Sequence, residues 1–275
     1  MNRSQEIAQG ERFEFGANWQ RFLGVLDDAR VREAEASLKG MLGLSSLEGR
    51  RFIDVGSGGG LFSLAAHRLG AAVYSFDYDP TSVACTHELK RRFAPDSAAW
   101  HVESGSVLDS QYLCGLGEFD VAYSWGVLHH TGRMWEALAN VEPLVAPGGR
   151  LFIAIYNDQG GPTRRWKTLK GLYNRHPVLR PLLCVYTLIK YWWIPVAKDT
   201  LKGAPLRSWN AYKDLNRGMS PWHDVVDWIG GGCPFEAAKP EDIFEFYRDK
   251  GFRLPVLKTG GGHGCNEFVF TRSAG

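Results

Sequence analysis

The chain has 275 residues, of which 44% are hydrophobic and 23% charged, a composition typical of folded globular proteins and not of disordered ones. Its five cysteines have no paired CxxC spacing, which argues against a disulfide framework and against a structural zinc site. The net charge of +2 hides an uneven distribution, because residues 160–235 contain twelve Lys or Arg and only four Asp.

The first residues lack the apolar core of a signal peptide, so we expect a cytoplasmic protein. Residues 12–49 have apolar side chains at helical spacing and predict helices that end near Gly43. Strand and helix patterns then alternate up to residue 157. The strands are predicted at RFIDVG, AVYSFD, AWHVESGS, FDVAYSWG and RLFIAIYN. Strands separated by helices predict parallel βαβ units and a doubly wound α/β sheet.

This alternation stops after Asn157. Residues 158–235 have no clear strand pattern and contain six of the ten tryptophans together with the basic excess. A helix (KPEDIFEFYRDKGF) and two strands (RLPVLK and NEFVFTR) follow. We therefore divide the chain into an N-terminal helical extension (1–49), a nucleotide-binding core (50–157), a helical basic segment (158–235) and a C-terminal part that completes the core (236–275).

A glycine-rich turn (GSGGG, 56–60) follows the first strand, and turns of this kind hold nucleotides. A P-loop is excluded because Leu61, Phe62 and Ser63 stand where Gly-Lys-Ser/Thr would be needed. A dinucleotide turn is disfavoured because Leu61 takes the place of the third small residue. The spacing that fits is Asp54-x-Gly56-x-Gly58-x-Gly60, and an acid at the end of the strand suits a ligand that carries an ammonium group.

This motif resembles motif I of class I S-adenosylmethionine-dependent methyltransferases, and four further motifs of that family follow in order. The resemblance implies a Rossmann-like seven-stranded sheet with an antiparallel last strand, and S-adenosylmethionine as the cofactor. It places the ribose-binding carboxylate at Asp77 and the adenine loop at ESGSVLD, where Ser106 replaces the usual Asp and Asp109 is an alternative. The predicted cofactor-binding residues are Asp54, Gly56, Ser57, Gly58, Gly60, Asp77, Tyr78, Ser106, Val107, Ser124 and Trp125.

Methyl transfer from a sulfonium depends mainly on positioning, and a base is needed only where the acceptor must first lose a proton. Ligands bind beyond the carboxyl ends of parallel strands, where His129, His130 and Tyr156 lie. These three are the catalytic candidates, although histidines at this place also serve to hold a loop. No group of His, Cys or acidic residues has the spacing of metal ligands, so we expect no metal.

In this family an insertion after the fifth strand commonly binds the acceptor, and residues 158–235 are similarly placed. The substrate-binding candidates are Asn157, Arg164, Arg165, His223 and Asn266. The basic excess suggests a small acidic, phosphorylated or sugar-linked acceptor, methylated on oxygen. The motifs are similar to those of quinone-biosynthesis O-methyltransferases, but WGVLHH lacks their Glu-His pair, so a quinone substrate is not implied.

Several alternatives stay open. The apolar and basic residues of 177–198 are interrupted by Pro181 and Pro195, which suits a lid helix or an interfacial helix beside anionic lipid better than a membrane span. Basic residues among tryptophans also suit RNA, but they are too dispersed here to favour it, and we expect no nucleic-acid partner. Three other interpretations stay open: an enzyme of this fold that does not transfer methyl, a methyltransferase that acts on an RNA or a lipid-linked substrate, and a scaffold protein with a vestigial pocket.

Overall fold

The computed structural model describes residue 9 and residues 15–24, 26–215, 221–260 and 264–274; of residues 17, 18, 21, 213–215, 223, 224 and 227 it describes only the backbone. Its helices are α1 (Phe15–Leu23), α2 (Asp28–Leu42), α3 (Leu61–Arg68), α4 (Pro80–Phe93), α5 (Ser110–Cys114), α6 (Met134–Val141), α7 (Gly161–Arg175), α8 (Arg180–Leu201), α9 (Arg207–Leu215), α10 (Pro221–Gly230) and α11 (Pro240–Arg248). Its strands are β1 (Arg51–Val55), β2 (Ala72–Asp77), β3 (Trp100–Ser104), β4 (Phe119–Trp125), β5 (Val145–Tyr156), β6 (Phe252–Lys258) and β7 (Cys265–Arg272).

The seven strands form one sheet in the order β3-β2-β1-β4-β5-β7-β6. β1 to β5 pair in parallel, whereas β7 runs antiparallel to both β5 and β6. β2 and β3 lie on one side of β1, and β4 and β5 lie on the other. The strand order therefore reverses between β1 and β4, and sheets of this kind bind ligands at the carboxyl ends of the strands at that point. The predicted fold, with its antiparallel last strand, is confirmed.

The chain divides into two compact units. The sheet unit comprises Phe15–Thr163 and Glu236–Gly275, and the helical unit contains Arg164–Phe235. In the sheet unit, both faces of the sheet are covered by apolar side chains. Ile53 and Val55 belong to the core beneath α6 and α11, while Phe52 belongs to the core beneath α2, α3 and α4. Burial on both faces explains why β1 reads as a nearly continuous apolar run rather than as an alternating one.

The helical unit has its own small core, in which Trp192 packs against Trp209 and Tyr212 at 4.7 and 5.2 Å between ring centroids. The side chain of Lys170 is buried and donates to the carbonyl oxygens of Trp228 and Gly231. Two backbone carbonyls thus satisfy a buried cation that would otherwise be costly.

The structure corrects three details of the predicted elements. Pro195 does not interrupt its segment, because α8 continues through it and Pro181 lies in the first helical turn, where proline is tolerated. The helices of 12–49 are separated at Asp27, whose carboxylate caps α2. The short helix α5 was not predicted; Asp109 caps it by accepting from Tyr112 N at 3.0 Å.

Candidate functional site

The glycine turn after β1 depends on backbone conformations that favour glycine. Gly56, Gly58 and Gly60 have φ angles of 84°, 55° and 80°, in the left-handed region. The Gly56 and Ser57 N–H groups donate to the Phe76 carbonyl at 2.9 and 3.0 Å, which ties the turn to β2. The turn therefore presents backbone beside the carboxyl end of β2, where Asp77 lies.

Asp77 is held by two backbone donors from the elements on either side of it. Its Oδ2 accepts from Gly58 N at 2.9 Å and its Oδ1 accepts from Asp79 N at 2.8 Å. The carboxylate is thus oriented in advance at the edge of the glycine turn.

Asp54 lies in the core, at the end of a chain of buried hydrogen bonds. Trp100 Nε1 donates to Ser75 Oγ at 2.9 Å, Ser75 Oγ to Ser63 Oγ at 2.8 Å, and Ser63 Oγ to Asp54 Oδ2 at 2.5 Å. Burial raises the pKa of Asp54 to about 7; the Asp77 charge adds to the rise and the hydrogen bonds from Ser63 oppose it. A positively charged ligand near this carboxylate would favour its ionised form.

Two hydroxyl groups in the predicted cofactor set hold the turn and the strands together. Ser57 Oγ lies 3.1 Å from Thr86 Oγ1, and Thr86 Oγ1 donates to the Gly58 carbonyl at 3.2 Å, which fixes the turn to α4. Ser124 Oγ donates to the Val55 carbonyl at 2.8 Å and joins β4 to β1. The described hydrogen bonds of both side chains are therefore with residues of the sheet and of the helix beside it.

The remaining predicted cofactor residues lie at the same edge of the sheet but in different surroundings. Tyr78 is exposed, and Trp125 is exposed with its Nε1 donating to Glu267 Oε1 at 2.9 Å. Ser106 Oγ accepts from Leu108 N, while Val107 is buried. Asp109, the alternative adenine ligand, is exposed and already accepts the N–H that begins α5.

The three catalytic candidates form one aromatic cluster. The rings of His129 and Tyr156 have centroids 4.1 Å apart, those of His129 and His130 4.2 Å, and those of His130 and Tyr156 5.3 Å. Both histidines are buried, in the turn Leu128–His130 that follows β4. The ends of β4 and β5 thus bring together groups that accept and donate protons.

The substrate-binding candidates are divided between the two units. Asn157 follows β5 and pairs with Ala238. Asn266 is buried on β7; its Oδ1 accepts from Gly260 N at 3.1 Å, and its Nδ2 has no hydrogen-bond partner among the described residues. Arg164 and Arg165 are exposed on α7, in the helical unit. The side chain of His223 lies outside the described residues.

Helix α1 covers the glycine turn, a contact that the sequence patterns do not predict. A Cβ added to Gly58 would lie 2.7 Å from Trp19 Cε2, so the indole packs directly on the glycine backbone. Gly16 N donates to Asp79 Oδ2 at 3.0 Å, and the Phe15 ring lies 5.3 Å from that of His130. These contacts join residues 39 or more positions apart, and such pairs leave no trace in local periodicity.

No group of three or more His, Cys, Asp or Glu side chains within the described part of the chain is arranged to hold a metal ion. This edge of the sheet holds the glycine turn with the carboxylates of Asp54 and Asp77, and the rings of His129, His130 and Tyr156 lie beyond β4 and β5.

Comparison with known proteins gives a family match. The model of a family described as "Methyltransferase domain" matches residues 26–192. The Ubiquinone biosynthesis O-methyltransferase of Rhodopseudomonas palustris is 29% identical over 153 residues, which are 53% of this chain and 52% of that protein. The tRNA U34 carboxymethyltransferase of Alcanivorax borkumensis is 33% identical over 111 residues, 40% of this chain and 33% of that protein. The chain thus spans about half or less of the length of these relatives.

Solved structures show the same fold at low sequence identity. The magnesium protoporphyrin IX methyltransferase of Synechocystis with bound SAH has a TM-score of 0.54 at 14% identity, covering 88% of this chain and 83% of that one. An O-methyltransferase family protein from Burkholderia thailandensis has a TM-score of 0.54 at 15% identity, covering 90% and 58%.

Proposed function

This chain belongs to the methyltransferase-domain family, and we propose that it transfers the methyl group of S-adenosylmethionine to an oxygen atom of a small acidic, phosphorylated or sugar-linked molecule. The observation that carries the proposal is the junction of the glycine turn with Asp77, in which Gly58 N donates to Asp77 Oδ2 at 2.9 Å. The glycine turn of that junction follows β1, the strand that borders the reversal point between β1 and β4.

The residues at this junction fit the groups that S-adenosylmethionine carries. The carboxylate of Asp77 suits the two ribose hydroxyls, since one carboxylate offers two acceptor oxygens to a vicinal diol. The negative charge of ionised Asp54 suits the ammonium group of the methionine end. When bound, S-adenosylmethionine supplies a methyl group on a positively charged sulfur.

The acceptor side of the reaction is assigned to the ends of β4 and β5. A hydroxyl acceptor must lose a proton, and His129 or His130 is the group proposed to take it. Tyr156, 4.1 Å from His129 between ring centroids, shapes the same place. The preference for an anionic acceptor depends on the basic excess of residues 160–235, to which the exposed Arg164 and Arg165 contribute.

The first test is calorimetry of the full chain with S-adenosylmethionine, S-adenosylhomocysteine and NAD. We expect micromolar binding of the first two and none of NAD. An acceptor screen then uses release of S-adenosylhomocysteine as its readout, with mass spectrometry of the product. Binding of NAD but not of S-adenosylmethionine would overturn the cofactor assignment, and loss of S-adenosylmethionine without a methylated product would overturn the reaction.

A second candidate function is favoured by the Alcanivorax relative, whose name describes a carboxymethyl transfer to tRNA. In that case the chain would transfer a larger group derived from the cofactor, or act on RNA. Product mass distinguishes the two reactions, because a methyl group and a carboxymethyl group add different masses to the acceptor. Ribonuclease treatment of the acceptor pool distinguishes RNA from a small molecule.

A further inference from the structure

Helix α8 exposes a continuous stripe of large apolar side chains. Leu182, Val185, Tyr186, Ile189 and Trp193 are between 39% and 67% exposed. Their spacing of three or four residues places them on one face of the helix. The other face contributes Leu183, Cys184, Thr187 and Trp192 to the core of the helical unit. Scattered exposed apolar residues need no explanation, but five on one helix face do.

The segment that carries this stripe is rich in positive charge. Residues 161–203, which include α7 and α8, contain nine Lys or Arg and one acidic residue. That acid, Asp199, is buried and accepts from Ser208 N and Ser208 Oγ at 2.6 and 2.9 Å. Lys170 points inward, so eight basic side chains stay exposed: Arg164, Arg165, Lys167, Arg175, Arg180, Lys190, Lys198 and Lys202.

Lys190 is the basic residue of α8 that lies beside the stripe. It follows Ile189 directly, is exposed, and its Nζ lies 4.9 Å from the centroid of the Trp166 ring. Burial of part of the side chain lowers the pKa of Lys190, and repulsion from Arg165 lowers it further. Lys190 of α8 and Arg165 of α7 therefore lie close enough to repel one another, and an anionic surface beside Lys190 would relieve that repulsion.

We propose that the exposed stripe of α8 binds the surface of an anionic lipid bilayer, with the helix lying in the plane of the interface. An amphipathic helix with Trp and Tyr on its apolar face and Lys or Arg beside it is suited to the boundary between headgroups and acyl chains. Anionic headgroups attract the flanking basic residues over a Debye length. Within the described ranges, no helix is long and apolar enough to cross a membrane.

The charge distribution favours lipid over a second copy of the chain. A two-fold symmetric interface would bring the same surface patch against itself, and Lys190, which is exposed beside the stripe, would then oppose its own copy. Nucleic acid fits the charge less well than lipid fits the stripe, because three of its five side chains, Leu182, Val185 and Ile189, are aliphatic and offer no ring on which bases stack. This inference goes beyond the proposed function and does not depend on which acceptor is methylated.

Vesicle flotation of the full chain tests the proposal. Vesicles of phosphatidylcholine alone are compared with vesicles that also contain phosphatidylglycerol. We expect the chain to float with the anionic vesicles, and to float less as the salt concentration rises. The double variant Ile189→Ser/Trp193→Ser should weaken the partition coefficient by about tenfold or more, because two apolar side chains no longer enter the interface.

Trp135→Ser is the matched control. Trp135 is another exposed tryptophan, on α6 of the sheet unit, and its substitution should leave flotation unchanged. Thermal unfolding of all variants checks that each is folded, which we expect because the substituted side chains are exposed. The proposal is wrong if the wild-type chain does not float with anionic vesicles, or if the double variant floats as well as the wild type. It is also wrong if ultracentrifugation shows a dimer that the double variant abolishes.

Discussion

The buried carboxylate of Asp54 makes the stability of the free protein depend on pH in a direction that can be measured. Its pKa is raised from 3.8 to about 7, chiefly by burial. The folded state therefore holds the proton more tightly than the unfolded state between these two values. The resulting stabilisation is fully present below the unfolded pKa and is lost as the pH rises through the folded pKa.

The size of this effect follows from the two pKa values. Raising the pKa of Asp54 by about 3 lowers the free energy of unfolding by at most about 4 kcal/mol when the carboxylate is ionised in the folded state. Most of this loss occurs in a pH range that is easily measured, because linkage lowers the free energy of unfolding by roughly 2–3 kcal/mol between pH 5 and pH 8. Asp54→Asn has nearly the same shape and does not titrate. Between pH 5 and pH 8, the free energy of unfolding of the variant should therefore rise by roughly 2–3 kcal/mol relative to that of the wild type.

Urea unfolding of both proteins at pH 5, 6, 7 and 8, without cofactor, gives the required free energies. The other titrating groups are common to both proteins, so their contributions cancel in the difference. Ser63→Ala is the companion variant: it removes a hydroxyl that favours the ionised carboxylate, and should move the loss of stability to higher pH. A stability difference between wild type and Asp54→Asn that is constant from pH 5 to pH 8 would refute the reasoning.

Three further outcomes are expected. Asp77→Ala should weaken S-adenosylmethionine binding by about 2 kcal/mol or more in calorimetry, because a carboxylate with charge-assisted hydrogen bonds is removed; an unchanged affinity would remove the ribose assignment. Trp19→Ala should weaken the same binding by about fivefold because its indole shields the Gly58 backbone from water, whereas tighter binding would mean that the ring occupies the place of the cofactor. Arg164→Ala/Arg165→Ala should raise the KM for an anionic acceptor about tenfold and leave cofactor affinity unchanged, with Lys202→Ala as the control; an unchanged KM would argue against a basic acceptor site.

The sheet could be predicted from the sequence because its signals are local. Each of β1 to β5 is a short apolar run bounded by turn residues, and the intervening helices are long enough to show their period. Helix α5, Ser110–Cys114, is too short to show one, and its signal was only the capping residue Asp109. Pro195 was misleading, because α8 continues through it.

The candidate site was predicted less completely, for a different physical reason. The motif residues of β1 and β2 are close in sequence, so their junction follows from the order of the strands. The packing of Trp19 on Gly58 and the bond from Trp125 to Glu267 join distant segments. The second of these depends on the antiparallel register that places Ala154 of β5 opposite Glu267 of β7. Neither contact has a pattern within a single segment that could be read beforehand.

The hydrogen bonds that end at Asp54 also bear on why an acid is retained in the core. In the chain from Trp100 through Ser75 and Ser63, each hydroxyl uses its only proton toward the next oxygen, so every bond points toward the carboxylate. This directed chain favours the ionised form but does not offset burial, since the pKa still rises to about 7. In the protein without ligand, part of the free-energy cost of burying the ionised carboxylate therefore stays uncompensated. A cationic ligand beside the glycine turn would supply the missing charge, so the contribution of Asp54 to cofactor binding would be largest at the pH values where its carboxylate is ionised.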